Sequence, residues 1–132
     1  QSCEALIQQM PSNITIQYKG DVQPFDVQDT IAKYDAFVLL TKGENFGHAL
    51  FEALSCGRPL ITSYFTPWNE LQTKQAGWNV DIQNATNIAV LFNQLAELNS
   101  AEWNYYCTNA YVLANEYYAQ LNLKQSYSAL FN

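Results

Sequence analysis

Residues 36–40, A-F-V-L-L, run without a polar break into the turn T-K-G-E-N-F-G (41–47) and then into H-A-L-F-E-A-L-S-C (48–56). A short apolar run of this kind suits a strand buried on both faces of a parallel sheet. The segment after the turn is helical in composition, and Gly57 and Pro59 supply the stop signals expected just past a helix end. Strand, turn and helix in that order are the repeating step of an α/β domain.

On that helix His48, Glu52 and Ser55 fall at i, i+4 and i+7 and share one stripe, while Ala49, Leu50, Phe51, Ala53 and Leu54 fill the rest. The polar stripe is too narrow for an ordinary surface helix. A carboxylate so placed is costly unless something pairs with it, so Glu52 calls for a cation, a hydrogen-bond donor or a wet cleft. A vicinal diol is one fitting partner, because the two carboxylate oxygens accept while the two hydroxyls of a ribose donate. The first turn of the same helix leaves backbone N–H groups unpaired at the positive end of the dipole, a natural seat for phosphate. Strand, turn, helix N-terminus and diol acceptor therefore line up along one nucleotide. Each residue also has a plainer reading. Glu52 can belong to a structural salt bridge, and Glu44 taken alone is a solvated loop carboxylate. His48 can be a helix-start residue satisfied by a neighbour as readily as a ligand contact. Gly47 can serve the turn alone, by supplying positive φ.

Working outward, the pattern predicts an opening helix from Ser2 to Met10, a strand at 14–18, a helix near 26–34 and the strand at 36–40. The helix at 48–56 leads to a strand at 59–63, a short helix at 67–75 and a strand near 78–81. Helices over about 86–98, 101–118 and 120–131 close the chain. Strands alternating with helices of this length give an α/β domain with a parallel sheet of about four strands. The sequence shows no internal repeat, low-complexity linker or second domain.

The stretch from Asp35 to Ser63 resembles the C-terminal half of the GT-B glycosyltransferases in the large retaining family called group 1. The shared features are an Asp, an apolar strand, Glu44, Phe46, Gly47, a second carboxylate at Glu52 eight positions after the first, and the Ser55 to Pro59 stretch S-C-G-R-P. T-P-W-N-E-L-Q-T-K-Q-A-G-W, residues 66–78, resembles a bacterial subgroup associated with capsule or lipopolysaccharide synthesis. I-T-I-Q-Y-K-G-D-V, residues 14–22, fits the family's strand and glycine near the nucleotide base. Two departures stand out. Leu40 and Thr41 replace the common Pro-Ser pair, and Thr66, Pro67 and Trp68 replace a Gly-Gly or Gly-x-x-Glu stretch.

The resemblance implies an incomplete doubly wound, Rossmann-like parallel sheet, the C-terminal half of a GT-B fold. It implies that Glu44 is the catalytic carboxylate, near hydroxyls of the transferred sugar, and that Glu52 binds the ribose hydroxyls. Backbone N–H groups of Asn45, Phe46, Gly47 and His48 would approach the sugar and diphosphate, and the residues around Gly20, Asp21 and Val22 would border the base. No metal or other cofactor is implied. In the family the helix N-terminus, an Arg and a Lys stabilise the leaving diphosphate, and neither cation is recognisable here. Both would lie upstream of Gln1 with the first strand-helix units and the N-terminal acceptor domain, so residues 1–132 read as a single partial domain, inactive alone. With the doubly wound order 3-2-1-4-5-6 the sheet would have a gap in its middle. The strand at 14–18 would then pair directly with 36–40, or a second copy of the chain would cover the exposed edges.

The implied reaction is transfer of a hexosyl group, with retained configuration, from a nucleoside diphosphate sugar to an acceptor hydroxyl. The implied partners are that nucleotide-sugar donor and an acceptor sugar or lipid-linked glycan, the acceptor being read by the N-terminal domain. Two rivals remain open: a nucleotide-sugar epimerase on the same architecture, and a non-catalytic binding or assembly module.

Composition bounds the rest. The chain has 132 residues, 48% hydrophobic and 14% charged, enough for one domain with a real core. A net charge of −6 with six basic residues argues against nucleic acid, since backbone binding needs clustered Lys or Arg. No apolar run approaches a membrane span and no signal peptide is visible. The cysteine usage makes a reduced cytoplasmic setting the simplest expectation, with peripheral membrane association open to the whole enzyme. Cys3, Cys56 and Cys107 are odd in number and lack metal-ligand spacing, and Cys56 reads as a thiol beside the core. G-x-G-x-x-G and G-K-[ST] loops are absent, and the lone histidine has no nucleophile elbow nearby. The aromatics from Trp103 to Tyr127 read as helix packing rather than as a sugar platform.

Overall fold

The computed structural model describes residues 2–43 and 47–131, with residues 126–131 described by backbone alone. Three parallel strands form its sheet, β1 (Phe37–Leu39), β2 (Leu60–Ser63) and β3 (Gly77–Val80), in the order β1-β2-β3. Phe37 lies opposite Leu60, and Leu60 opposite Gly77. The central strand is buried along its whole length between strands on both sides, its two polar residues, Thr62 and Ser63, being hydrogen-bonded through their hydroxyls.

Helices cover both faces. They are α1 (Cys3–Gln8), α2 (Val27–Ile31, after a 3-10 turn at Pro24–Asp26), α3 (His48–Ser55), α4 (Leu71–Lys74), α5 (Ala85–Ala96) and α6 (Ser100–Phe131). On one face Leu50, Ala53 and Leu54 of α3 meet Ala110 and Ala114 of α6 around Leu60, Leu71 and Trp68. The alanines keep the two helices close. On the other face Ile61 and Val80 pack on Leu95 of α5, with Trp78, Ile88, Leu91 and Trp103 at the margin. Consecutive residues of β2 thus serve opposite cores, the period-two geometry of a strand between two helical layers.

Two local devices fix the helix starts. Asn84 accepts from the Asn87 N–H (3.0 Å) to open α5. At α6, Asn99 Oδ1 accepts from the Glu102 N–H (2.9 Å) and Glu102 Oε1 accepts from the Asn99 N–H (3.1 Å), a reciprocal capping box.

The structure corrects the expected layout in three places. Residues 14–18 form no strand, and Ile14, Ile16 and Tyr18 are exposed, so the sheet has three strands rather than about four. The alternation in I-T-I-Q-Y gives a strand-like pattern, yet no neighbouring edge pairs with it, and the expected pairing of 14–18 with 36–40 does not occur. The helix expected over 67–75 shrinks to Leu71–Lys74, because residues 64–70 are held in an irregular loop by side-chain hydrogen bonds. The two closing helices are a single one, α6, with no Gly or Pro to break it near residue 119.

The far edge of β1 carries no strand among the described residues, and Val38 and Leu40 are exposed there. Unpaired edges template association. Sedimentation of this chain should therefore show concentration-dependent self-association that Val38→Lys suppresses. A wild-type chain monomeric at every concentration tested would count against that expectation.

Candidate functional site

The candidate site lies at the carboxyl ends of β1 and β2, where the chain turns into α3. Side chains of β2 fasten the outgoing end of β1: Thr62 Oγ1 donates to the Leu39 carbonyl (2.6 Å) and Ser63 Oγ donates to the Thr41 carbonyl. Thr41 closes the next step itself, its hydroxyl donating to the Gly43 carbonyl (3.0 Å) and accepting from the Gly43 N–H (3.2 Å). The replacement of Pro-Ser by Leu40 and Thr41 thus leaves a turn tied by its own hydroxyl. Glu44, Asn45 and Phe46, expected to meet the sugar and diphosphate, lie outside the described residues.

Gly47 is buried and opens α3 in the left-handed conformation, φ 75°, with no side-chain cap. A Cβ there would stand 3.0 Å from Leu50 Cδ1 and 3.5 Å from Trp68 Nε1, so conformation and space both demand glycine. The Gly47 carbonyl accepts from the Phe51 N–H (2.9 Å). His48, the first helical residue, is exposed.

Glu52 is half-buried one turn further along. No ion pair or hydrogen bond to its carboxylate forms among the described residues. The helix face that carries it turns toward α2: Cys56, one turn on, donates its thiol hydrogen to the Gln28 carbonyl (Sγ to O, 3.7 Å). Burial pushes the Cys56 thiol above its ordinary pKa; Arg58 opposes this, while the negative charges of Glu52 and Asp29 add to it. Cys56 is half-buried rather than deep in the core. Arg58 braces the same junction, its Nη2 donating to the Ala32 carbonyl (2.8 Å) where α2 ends. Ser55, the third member of the expected polar stripe, is satisfied within its own helix by donating to the Phe51 carbonyl (2.9 Å).

The two residues expected at the base part company. Val22 lines an apolar cavity of about 300 Å³ with Thr30, Ile31 and Tyr34 of the α2 region, Val38 of β1 and Ala49 of α3, so it shares a space with the first turn of the site helix. Gly20 has φ 72° and nothing within 4 Å of its Cβ position, and its surroundings are open. Asp21 faces an adjoining crevice with Asp26, Asp29 and Lys33, which Val22, Thr30 and Tyr34 line as well.

Two residues that the sequence reading did not single out complete the site wall. Asn79, on β3, is buried and fully engaged in tying down the loop after β2. Its Nδ2 donates to the Ser63 carbonyl (3.0 Å) and the Trp68 carbonyl (2.8 Å), and its Oδ1 accepts from the Leu71 N–H (3.0 Å). Gln72 adds a second tie, donating to the Asn79 carbonyl (2.9 Å) and accepting from the Asn79 N–H (3.1 Å). The loop so held presses Trp68 against α3. Its ring stacks on Phe51 with 6.1 Å between centres and meets Tyr117 edge-on at 5.0 Å. An asparagine inside an apolar strand is the signal that could have flagged this network, since a parallel sheet leaves it no water.

Among the described residues no group of three or more His, Cys, Asp or Glu side chains is placed to hold a metal ion, and no helix is long and apolar enough to cross a membrane. The C-terminal aromatics pack in part, Tyr106 on Trp78 at 4.6 Å and Trp103 on Trp78 at 6.2 Å, while Tyr105, Tyr111 and Tyr118 are exposed.

A family model described as "Glycosyl transferases group 1" matches residues 1–110. No curated protein matches the chain. Among solved structures, the N-terminal domain of Candida albicans trehalose-6-phosphate phosphatase superposes with a TM-score of 0.61 at 16% identity, over 77% of this chain and 22% of that one. The likeness is one of fold, and this chain spans about a fifth of that structure's length.

Proposed function

Because the chain belongs to the group 1 glycosyl transferases, we propose that it is the donor-binding half of a retaining glycosyltransferase. The enzyme would move a hexosyl group from a nucleoside diphosphate sugar to an acceptor hydroxyl, in cytoplasmic synthesis of a cell-surface polysaccharide or lipopolysaccharide. The observation that carries the reading is α3 itself: a helix opening on a left-handed glycine at the carboxyl end of a parallel sheet, with a half-buried carboxylate one turn in that has no partner among the described residues. Open α/β sheets bind ligands at that end, and a helix start of this kind receives phosphate. Glu52 takes the ribose diol, Gly47 and His48 offer backbone N–H groups to the diphosphate, and Val22 approaches the base. Glu44 acts at the sugar, and the departing diphosphate accepts the acceptor's proton, without a metal. The acceptor, as sugar or lipid-linked glycan, is bound by the N-terminal half of the enzyme.

Calorimetric titration of the full-length enzyme with a panel of nucleotide sugars tests the reading. One of them should bind, and Glu52→Ala should weaken it by about a hundredfold, the loss of two charge-assisted hydrogen bonds. Unchanged affinity in that variant would remove Glu52 from the site.

A further inference from the structure

We infer that the indole N–H of Trp68 donates a hydrogen bond to a phosphate oxygen of the ligand held at the start of α3. The inference rests on the nucleotide-sugar reading of that helix and adds to it a residue that departs from the family's usual Gly-rich stretch.

Trp68 is only 6% exposed, and its Nε1 is enclosed without a hydrogen-bond partner among the described residues. A buried donor left unmade is expensive, and native structures keep one where a ligand, ion or water completes it. This donor stands beside the α3 N-terminus, 3.5 Å from where a Cβ on Gly47 would be. Among the described residues the corner collects donors. The first-turn amides of α3 have no side-chain cap, and the Gly47 carbonyl is already taken by the Phe51 N–H. An occupant with several lone pairs and negative charge answers all of these groups together, and a phosphate has both. Glycine at position 47 leaves the space beside the donor unfilled, because a side chain there would stand against both Nε1 and Leu50.

The ring is also held in place beforehand. Asn79 grips the Trp68 carbonyl, and Phe51 and Tyr117 flank the indole, so binding costs little side-chain entropy.

The indole N–H signals of the chain, one from each of Trp68, Trp78 and Trp103, give a direct readout. They can be assigned by elimination from Trp78→Phe and Trp103→Phe, leaving Trp68 intact. Titration with uridine, guanosine and adenosine diphosphates in turn, and with inorganic pyrophosphate, should move the Trp68 indole signal downfield together with the amides of Gly47 and Ala49. Trp68→Phe should then bind the same diphosphate about tenfold more weakly. If the amides respond and the Trp68 indole does not, the inference is overturned while the donor reading stands. If neither responds to any of these ligands, the donor reading fails and takes this inference with it.

Discussion

Gly77→Ala should destabilise the fold by about 3–5 kcal/mol, an expectation built from two additive penalties. Gly77 has φ 152°, a conformation that side chains rarely adopt, and it starts β3 directly opposite Leu60 of the buried central strand. A Cβ at this position would land on the backbone oxygen and nitrogen of Leu60, which cannot turn aside as a flexible side chain could. To admit a methyl group, β3 must move away from β2 where the Leu60 N–H donates to the Ala76 carbonyl (3.1 Å). Domains of this size hold roughly 5–15 kcal/mol in all, so one methyl group consumes much of the margin. Urea unfolding followed by circular dichroism measures the loss as a lower midpoint. Gly43→Ala is the control, since nothing lies within 4 Å of a Cβ there. Equal midpoints for the two variants would mean that the strand approach at Gly77 is looser than described.

Asn79→Ala should cost about 3 kcal/mol, because the Ser63 and Trp68 carbonyls and the Leu71 N–H all lose their partner in a dry interior. The effect should reach past stability. The loop carrying Trp68 would lose its tie to the sheet, so the variant should bind the donor ligand more weakly even at temperatures where it remains folded. Unfolding curves and ligand titrations on the same preparation separate the two effects. Full affinity in a folded but destabilised variant would confine Asn79 to a structural part. Gln72 is spared by the substitution, since its bonds go to the backbone of residue 79.

Much of the central unit could be read from the chain because its signals are local. The A-F-V-L-L run, the helix after Gly47 and the stop at Gly57 and Pro59 are each decided by residues within a few positions of one another, and β1, α3 and β2 follow them closely. Positive φ at Gly47 was legible for the same reason. The failures are tertiary. Residues 14–18 alternate as a strand does, but a strand exists only where an edge receives it, and local pattern cannot supply the edge. Residues 67–70 look helical in composition, yet Thr66 and Asn79 offer the backbone better partners. The part played by Trp68 was hidden likewise, because the contact with Gly47 joins residues 21 positions apart and depends on a hydrogen bond from a third strand.

α6 is built from 32 residues, which at the usual helical rise makes a rod of about 48 Å, longer than a small domain is wide. Its buried contacts are spent early. Ala110 and Ala114 sit in the core and Tyr117 at its margin, whereas residues 118–125 are exposed throughout. The helix is therefore anchored around Ala110 and Ala114, while residues 118–125 stand clear of the core and contribute reach rather than stability. A body docked on it would be carried at a fixed distance and direction from the sheet.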